Sequence, residues 1–234
     1  MDGTSRWPKV PPALTPEQER AREAFVLAWH EVLPQRYDFV ERFNHSSVTS
    51  LPDVPARFRT LEVGAGIGGH LPFEDLARQD YVCLEYRTEF CQRLRELPGI
   101  AGVVEASIEN RTPLEDGSFD RVVAIHVLEH LRNLPAALDE ISRVLAPGGI
   151  FDVVLPCEGG AAYWLARRMS AQPMFERRFR LPYKDIIANE HVNTIYEILP
   201  LLEARFSLMW KSFFPLPVPS YFANLCVAQR FVKR

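Results

Sequence analysis

The sequence predicts an α/β fold built on one open, mostly parallel sheet of seven strands, with a terminal antiparallel hairpin, a helical N-terminal cover and an insertion after the fifth strand. Three observations carry that prediction. From residue 58 onward short apolar runs alternate with helical patterns, the rhythm of βαβ units. The turn after the first run, "GAGIGG", holds four glycines in six positions. The last two apolar runs are joined by the proline-rich "PLPVPS" with no helix between them, so those strands pair antiparallel.

Residues 1–57 make the cover. Residues 1–14 are rich in proline and polar groups and read as a loose arm. Thr15-Pro16-Glu17-Gln18 then sets a capping threonine, an N1 proline and an N3 glutamine in order, so a helix starts there. Its apolar positions Ala21, Phe25, Ala28, Trp29 and Val32 recur at three and four; Pro34 ends or kinks it, and Tyr37, Val40 and Phe43 continue on one face.

Residues 58–155 make the core. They read as a strand "FRTLEV", a helical "LPFEDLARQ", a strand "YVCLEY", a helix "TEFCQRLREL", strands "AGVVEA" and "DRVVAIHVL", a helix "LPAALDEISRVL" and a strand "IFDVVLP". The run Val122 to Ile125 is apolar on both faces, as a central strand covered on both sides must be. Residues 156–192 break the rhythm and form an insertion too long for an ordinary α/β connection, the natural place for substrate recognition. In residues 193–234, Thr194-Ile195-Tyr196-Glu197 spells a second capping box for a helix to about Ala204, before the strands "FSLMWKSFF" and "YFANLCVAQRFV".

At 234 residues this is the length of a single α/β domain. An apolar fraction of 47%, a charged fraction of 24% and a net charge of −3 argue against bulk attraction to nucleic acid or anionic membrane. Cys83, Cys91, Cys157 and Cys226 show no C-x-x-C spacing and are expected as buried reduced thiols, hence a cytoplasmic setting. No apolar leader and no transmembrane run is predicted, and a monomer or homodimer is expected.

Gly64, Gly66 and Gly69 satisfy G-x-G-x-x-G at a strand's carboxyl end, where bare backbone and free helix N–H groups can meet a ligand. No G-K-[S/T] follows, so this is not a P-loop. Glu62 stands two residues before the first glycine, where its charge repels a pyrophosphate and favours a cation. Glu85, 19 positions after Gly66 at the end of the next strand, suits ribose hydroxyls. An adenosine ligand with positive charge near the loop fits both, and S-adenosyl-L-methionine (SAM) is one.

Four motifs in order, "LEVGAGIG", "CLEY", "TPLEDGSFDRVVAIHVLEHL" and "LDEISRVLAPGGIF", resemble those of class I SAM-dependent methyltransferases, a Rossmann-like family, and particularly its small-molecule branch with the ubiquinone and menaquinone biosynthesis enzymes. The resemblance covers about residues 58–155 and the terminal hairpin. It implies SAM as cofactor, with Glu62, Gly64, Ala65, Gly66 and Gly68 bordering its methionyl part, Glu85 and Tyr86 at the ribose, and Ile125 and His126 flanking it after the fourth strand. Where the family has an acidic residue at the adenine amino group, this chain offers Ser107, Ile108 and Glu109; Ser107 and Ile108 are carried over.

"HVLEH", residues 126–130, also spells the H-x-x-E-H of inverted zinc proteases. His126 stands at a strand's end instead of inside a helix, so no metal is expected. If the acceptor must lose a proton, His126, His191, Glu190 and Tyr183 are the candidate bases, with His126 and His191 first. Arg177 and Arg178, in an arginine-rich, aromatic-rich part of the insertion, are expected with Tyr183 to meet a small, anionic acceptor. The competing readings are an RNA methyltransferase and a non-catalytic scaffold or regulatory protein.

Overall fold

The structure, a computed structural model, describes residues 7–36, 38–49 and 58–234, with the side chains of 29–36 outside that description. The expectations placed on the side chains of Trp29 and Val32 and on Tyr37 fall there, whereas the helix that opens at Pro16 runs on past Pro34 to Arg36 and does not end at it. The core is a seven-stranded sheet of order β3-β2-β1-β4-β5-β7-β6. β1 (Phe58–Val63), β2 (Gln79–Glu85), β3 (Gly102–Glu105), β4 (Phe119–Ile125) and β5 (Leu145–Pro156) run parallel, and β7 (Cys226–Lys233) inserts antiparallel between β5 and β6 (Phe206–Phe214). A Rossmann-like sheet with an antiparallel terminal pair is therefore what the chain builds.

The two faces differ in chemistry. Leu61, Val63, Val122, Ala124, Val153, Leu155 and Val227 form one face, packed under α4 (Leu134–Val144) and α8 (Ile195–Arg205) in the main apolar core. The opposite face carries Thr60, Glu62, Arg121 and Asp152 on adjacent strands, all buried. Arg121 donates from Nε to Asp152 Oδ2 at 2.8 Å and from Nη1 to Glu74 Oε1 at 2.9 Å, and a further N–H meets the carbonyl of Val48. Arg230 donates to the other Asp152 oxygen at 2.7 Å. Charges taken this far from water persist only when paired and hydrogen-bonded, and here both conditions are met.

This network explains one departure from the sequence reading. "LPFEDLARQ" folds as two 3-10 turns, Leu71–Phe73 and Leu76–Arg78, instead of a helix. Pro72 contributes no N–H to a helical ladder. Glu74 is drawn inward, accepting from Arg121, from Gln79 at 2.7 Å, and facing His70 Nε2 at 2.8 Å.

The capping boxes both form. Gln18 N donates to Thr15 Oγ1 while Thr15 N donates to Gln18 Oε1, opening α1 (Pro16–Arg36). Thr194 and Glu197 do the same for α8. The arm does not hang loose over its described residues: Lys9 Nζ donates to Val192 O at 2.6 Å and Glu197 Oε1 at 2.8 Å, and Asn189 Nδ2 donates to Pro12 O. The long lysine stem and its ion pair tie residues 7–14 to the far end of the chain.

The insertion is helical: α5 (Ala161–Met169), α6 (Ala171–Phe179) and α7 (Tyr183–Glu190). α1 lays Ala21 and Phe25 against Ala171, Phe175, Tyr183 and Ile186, making a second small core. α2 (Asp38–Ser46) sets Phe43 against Phe214, with ring centroids 5.1 Å apart, and His45 against His70. α3 (Thr88–Arg95) follows β2. The four cysteines are free and buried, and among the described residues no helix is long and apolar enough to cross a membrane.

Candidate active site

The strands end side by side, and the site grows from their carboxyl ends. β1 and β2 are in register to Val63 and Leu84. The chain leaves β1 through Gly64, Gly66 and Gly68 at φ +66°, +56° and +85°, angles that side-chain-bearing residues avoid. At Gly64 a Cβ would also come within 2.7 Å of Val127, so the loop lies flat against the β4 exit.

Glu85 closes this loop from below. Its carboxylate is 3% exposed and accepts the amide N–H of Gly66 at 3.0 Å and those of Tyr86 and Arg87 at 2.9 Å each. Ala65 is buried beside it, whereas the Tyr86 side chain is 61% exposed and only its amide joins the group. Beyond β3, Ser107 is half-buried and Ile108 buried, and Glu109 is committed elsewhere, accepting Asn133 N at 2.5 Å. Ile125 ends β4 and His126 follows it. The residues carried over for the cofactor thus share one edge of the sheet, with one difference. Glu62 turns its carboxyl into the polar face, where Tyr81 donates to it at 3.0 Å; burial pushes its pKa up to about 8 despite that bond.

Just after β4, His126 is held at φ +53°, its Nδ1 3.2 Å from Glu129 Oε1 and its Nε2 4.0 Å from Cys226 Sγ. Burial pulls its pKa down, but Cys226 and Glu129 outweigh that and hold it well above the ordinary imidazole value. Both ring nitrogens of His126 are thus engaged within the chain, by Glu129 and by Cys226. His191 caps α7 with Nδ1 3.0 Å from Glu158 Oε2, and its ring meets that of His130 edge-on at 4.9 Å. Glu190 faces Arg22 and His130. Tyr183 is buried among Phe25, Phe175 and Phe179, its hydroxyl pKa raised by burial, so it serves the small core. Arg177 and Arg178 are exposed on α6, Arg178 stacking over Phe179 at 5.3 Å.

Sequence reasoning missed what gathers at residues 128–130, a 3-10 turn: Glu129, His130 and His191 converge, and Arg167 clamps Glu158 with two contacts of 2.8 Å. The signal was "HVLEH", but its partner His191 lies 61 positions on, beyond any local pattern.

The family model described as "Methyltransferase domain" matches residues 61–153, the stretch from the glycine loop through β5. Residues 61–153 thus match a methyltransferase domain. Over 106 residues it is 35% identical to the probable phthiotriol/phenolphthiotriol dimycocerosates methyltransferase 2 of Mycobacterium ulcerans, covering 42% of this chain and 40% of that protein. Over 126 residues it is 30% identical to the sterol 24-C-methyltransferase erg6 of Aspergillus fumigatus, covering 50% and 32%. The chain therefore spans less than half the length of these curated relatives. The chain also superposes on a Thermotoga maritima structure titled a SAM-dependent methyltransferase, possible histamine N-methyltransferase. That match has a TM-score of 0.64 and 20% identity over 93% of this chain and all of the other, a likeness of fold.

Proposed function

We propose that the chain transfers the methyl group of SAM to a small-molecule acceptor by in-line displacement. The observation that supports this most is the Glu85 carboxylate, buried at the end of β2 against the Gly66 amide. It is an acceptor set where ribose hydroxyls donate, beside bare backbone for the methionyl part. Bound there, SAM supplies a methyl carbon already activated by the sulfonium. The chain's own work is then alignment and exclusion of water.

The insertion serves both tasks. Tyr163 of α5 stacks on His191 at the end of α7, and His191 meets His130 edge-on, next to the β4 exit. The names of the relatives, phthiotriol/phenolphthiotriol dimycocerosates and sterol methyltransferases, support an acceptor with a large apolar body. Trp164, Leu165 and Met169, exposed on α5, offer surface for such a body. Arg177 and Arg178 would grip an anionic end bidentately.

Calorimetric titration with S-adenosylhomocysteine, with NAD and NADP as controls, tests the reading. Micromolar binding of the first alone is expected; absence of it leaves a fold without the activity. Glu85→Ala should weaken that binding by about 1–3 kcal/mol, the loss of a charged hydrogen-bonding partner. Unchanged affinity would move the ribose contact elsewhere.

A further inference from the structure

We infer that Glu129, His130 and His191 form a binding site for one divalent transition-metal ion beside the acceptor end of the proposed cofactor site. Their ligating atoms lie within 4.8 Å of one another. Bonds of 2.0–2.2 Å to a tetrahedral ion would bring such atoms to roughly 3.4 Å apart, so side-chain shifts of about 1 Å complete the set.

Three further features of the same residues point to an ion. Glu129 is 1% exposed, and its Oε2 has no hydrogen-bond partner among the described residues. A buried carboxylate oxygen left without a donor is costly unless something positive meets it. His130 Nδ1 lies 2.9 Å from the backbone carbonyl of Glu190. A carbonyl can only accept, so the hydrogen sits on Nδ1 and the neutral ring presents its lone pair at Nε2. His191 Nδ1 is fixed in the same way by Glu158 Oε2 at 3.0 Å, and Arg167 in turn holds Glu158. Both imidazoles are thus oriented through Nδ1 with Nε2 left over, the outer-shell arrangement that positions metal-bound histidines.

This is not the zinc-protease geometry that "HVLEH" spells. That motif pairs its first and last histidines on one helix, whereas here His126 turns away to Cys226 and His191 of the insertion takes the second imidazole position. Two imidazoles and one carboxylate suit Zn²⁺, Mn²⁺ or Fe²⁺ and leave coordination positions for a further ligand. Glu129 Oε1 also faces His126, just after β4, and under the methyl-transfer reading an acceptor oxygen would be the further ligand. A metal there would lower the oxygen's pKa, which removes the need for a side-chain base. This last step rests on the methyl-transfer reading; the metal site does not.

The test is Zn²⁺ uptake by the chelator-stripped full chain, followed by calorimetry and elemental analysis without cofactor. We expect one ion per chain, with Glu129→Gln, His130→Ala and His191→Ala each weakening binding at least 30-fold and Glu158→Gln by about tenfold. His45→Ala, in the other histidine pair, should leave uptake unchanged. Circular dichroism checks that each variant is folded. In addition, Co²⁺ titrated into the unaltered protein should develop visible absorption that Zn²⁺ abolishes, a readout needing no variant. Absence of uptake and of the Co²⁺ bands, or uptake undiminished in folded His130→Ala and His191→Ala, would overturn the site. A chain that binds Zn²⁺ but not S-adenosylhomocysteine keeps the site and loses the transferase reading; the reverse result rejects the site alone.

Discussion

Glu62 is 4% exposed, and burial is the main cause that lifts its carboxyl to about pH 8, with the nearby charges of Glu74 and Glu85 adding to it. In the unfolded chain the same group titrates near 4.3. Between those values the native state holds a proton that the unfolded state has lost, so this group's contribution to stability falls as pH rises. The slope is about 1.4 kcal/mol per pH unit while that single group dominates. Glu62→Gln keeps an acceptor for Tyr81 and removes the titration. The variant should therefore match the parent at about pH 4 and exceed it in stability at pH 8, measured by urea unfolding at both. Parallel pH dependence of parent and variant would show that Glu62 stays ionised in the fold.

Among the elements, the insertion helices carry the recognition hypothesis. α6 exposes Arg177 and Arg178 while burying Phe175, so the basic face is available without cost to the small core. Replacing both arginines by alanine should raise KM for an anionic acceptor more than twofold and leave S-adenosylhomocysteine affinity unchanged. Steady-state kinetics with a charged and a neutral acceptor check this. A change of twofold or less with the charged acceptor would make α6 a merely solvated surface.

For the whole molecule, the ion network on one sheet face ties β4, β5 and β7 to the segment between β1 and β2. Asp152 is fully buried and accepts from both Arg121 and Arg230. Asp152→Asn removes the charge while both guanidinium groups stay in place, which should cost about 3–5 kcal/mol. Chemical denaturation measures it, and a loss under 1 kcal/mol would mean that water already reaches the pair.

The mostly parallel sheet, the terminal antiparallel pair, both capping boxes and the glycine turn from Gly64 to Gly68 were legible because each depends on local signals: periodicity, glycine placement and caps. What the sequence determined by itself was thus the fold class and the glycine turn at the carboxyl end of β1. Tertiary structure decided the rest. It turned "LPFEDLARQ" from a helix into 3-10 turns by drawing Glu74 to Arg121, pinned the arm through Lys9, and sent Glu62 to Tyr81. It also joined His130 to His191 across 61 residues. In each case a charged or polar group chose its partner by the desolvation it would otherwise suffer, and that partner lies far along the chain, where no local pattern can point.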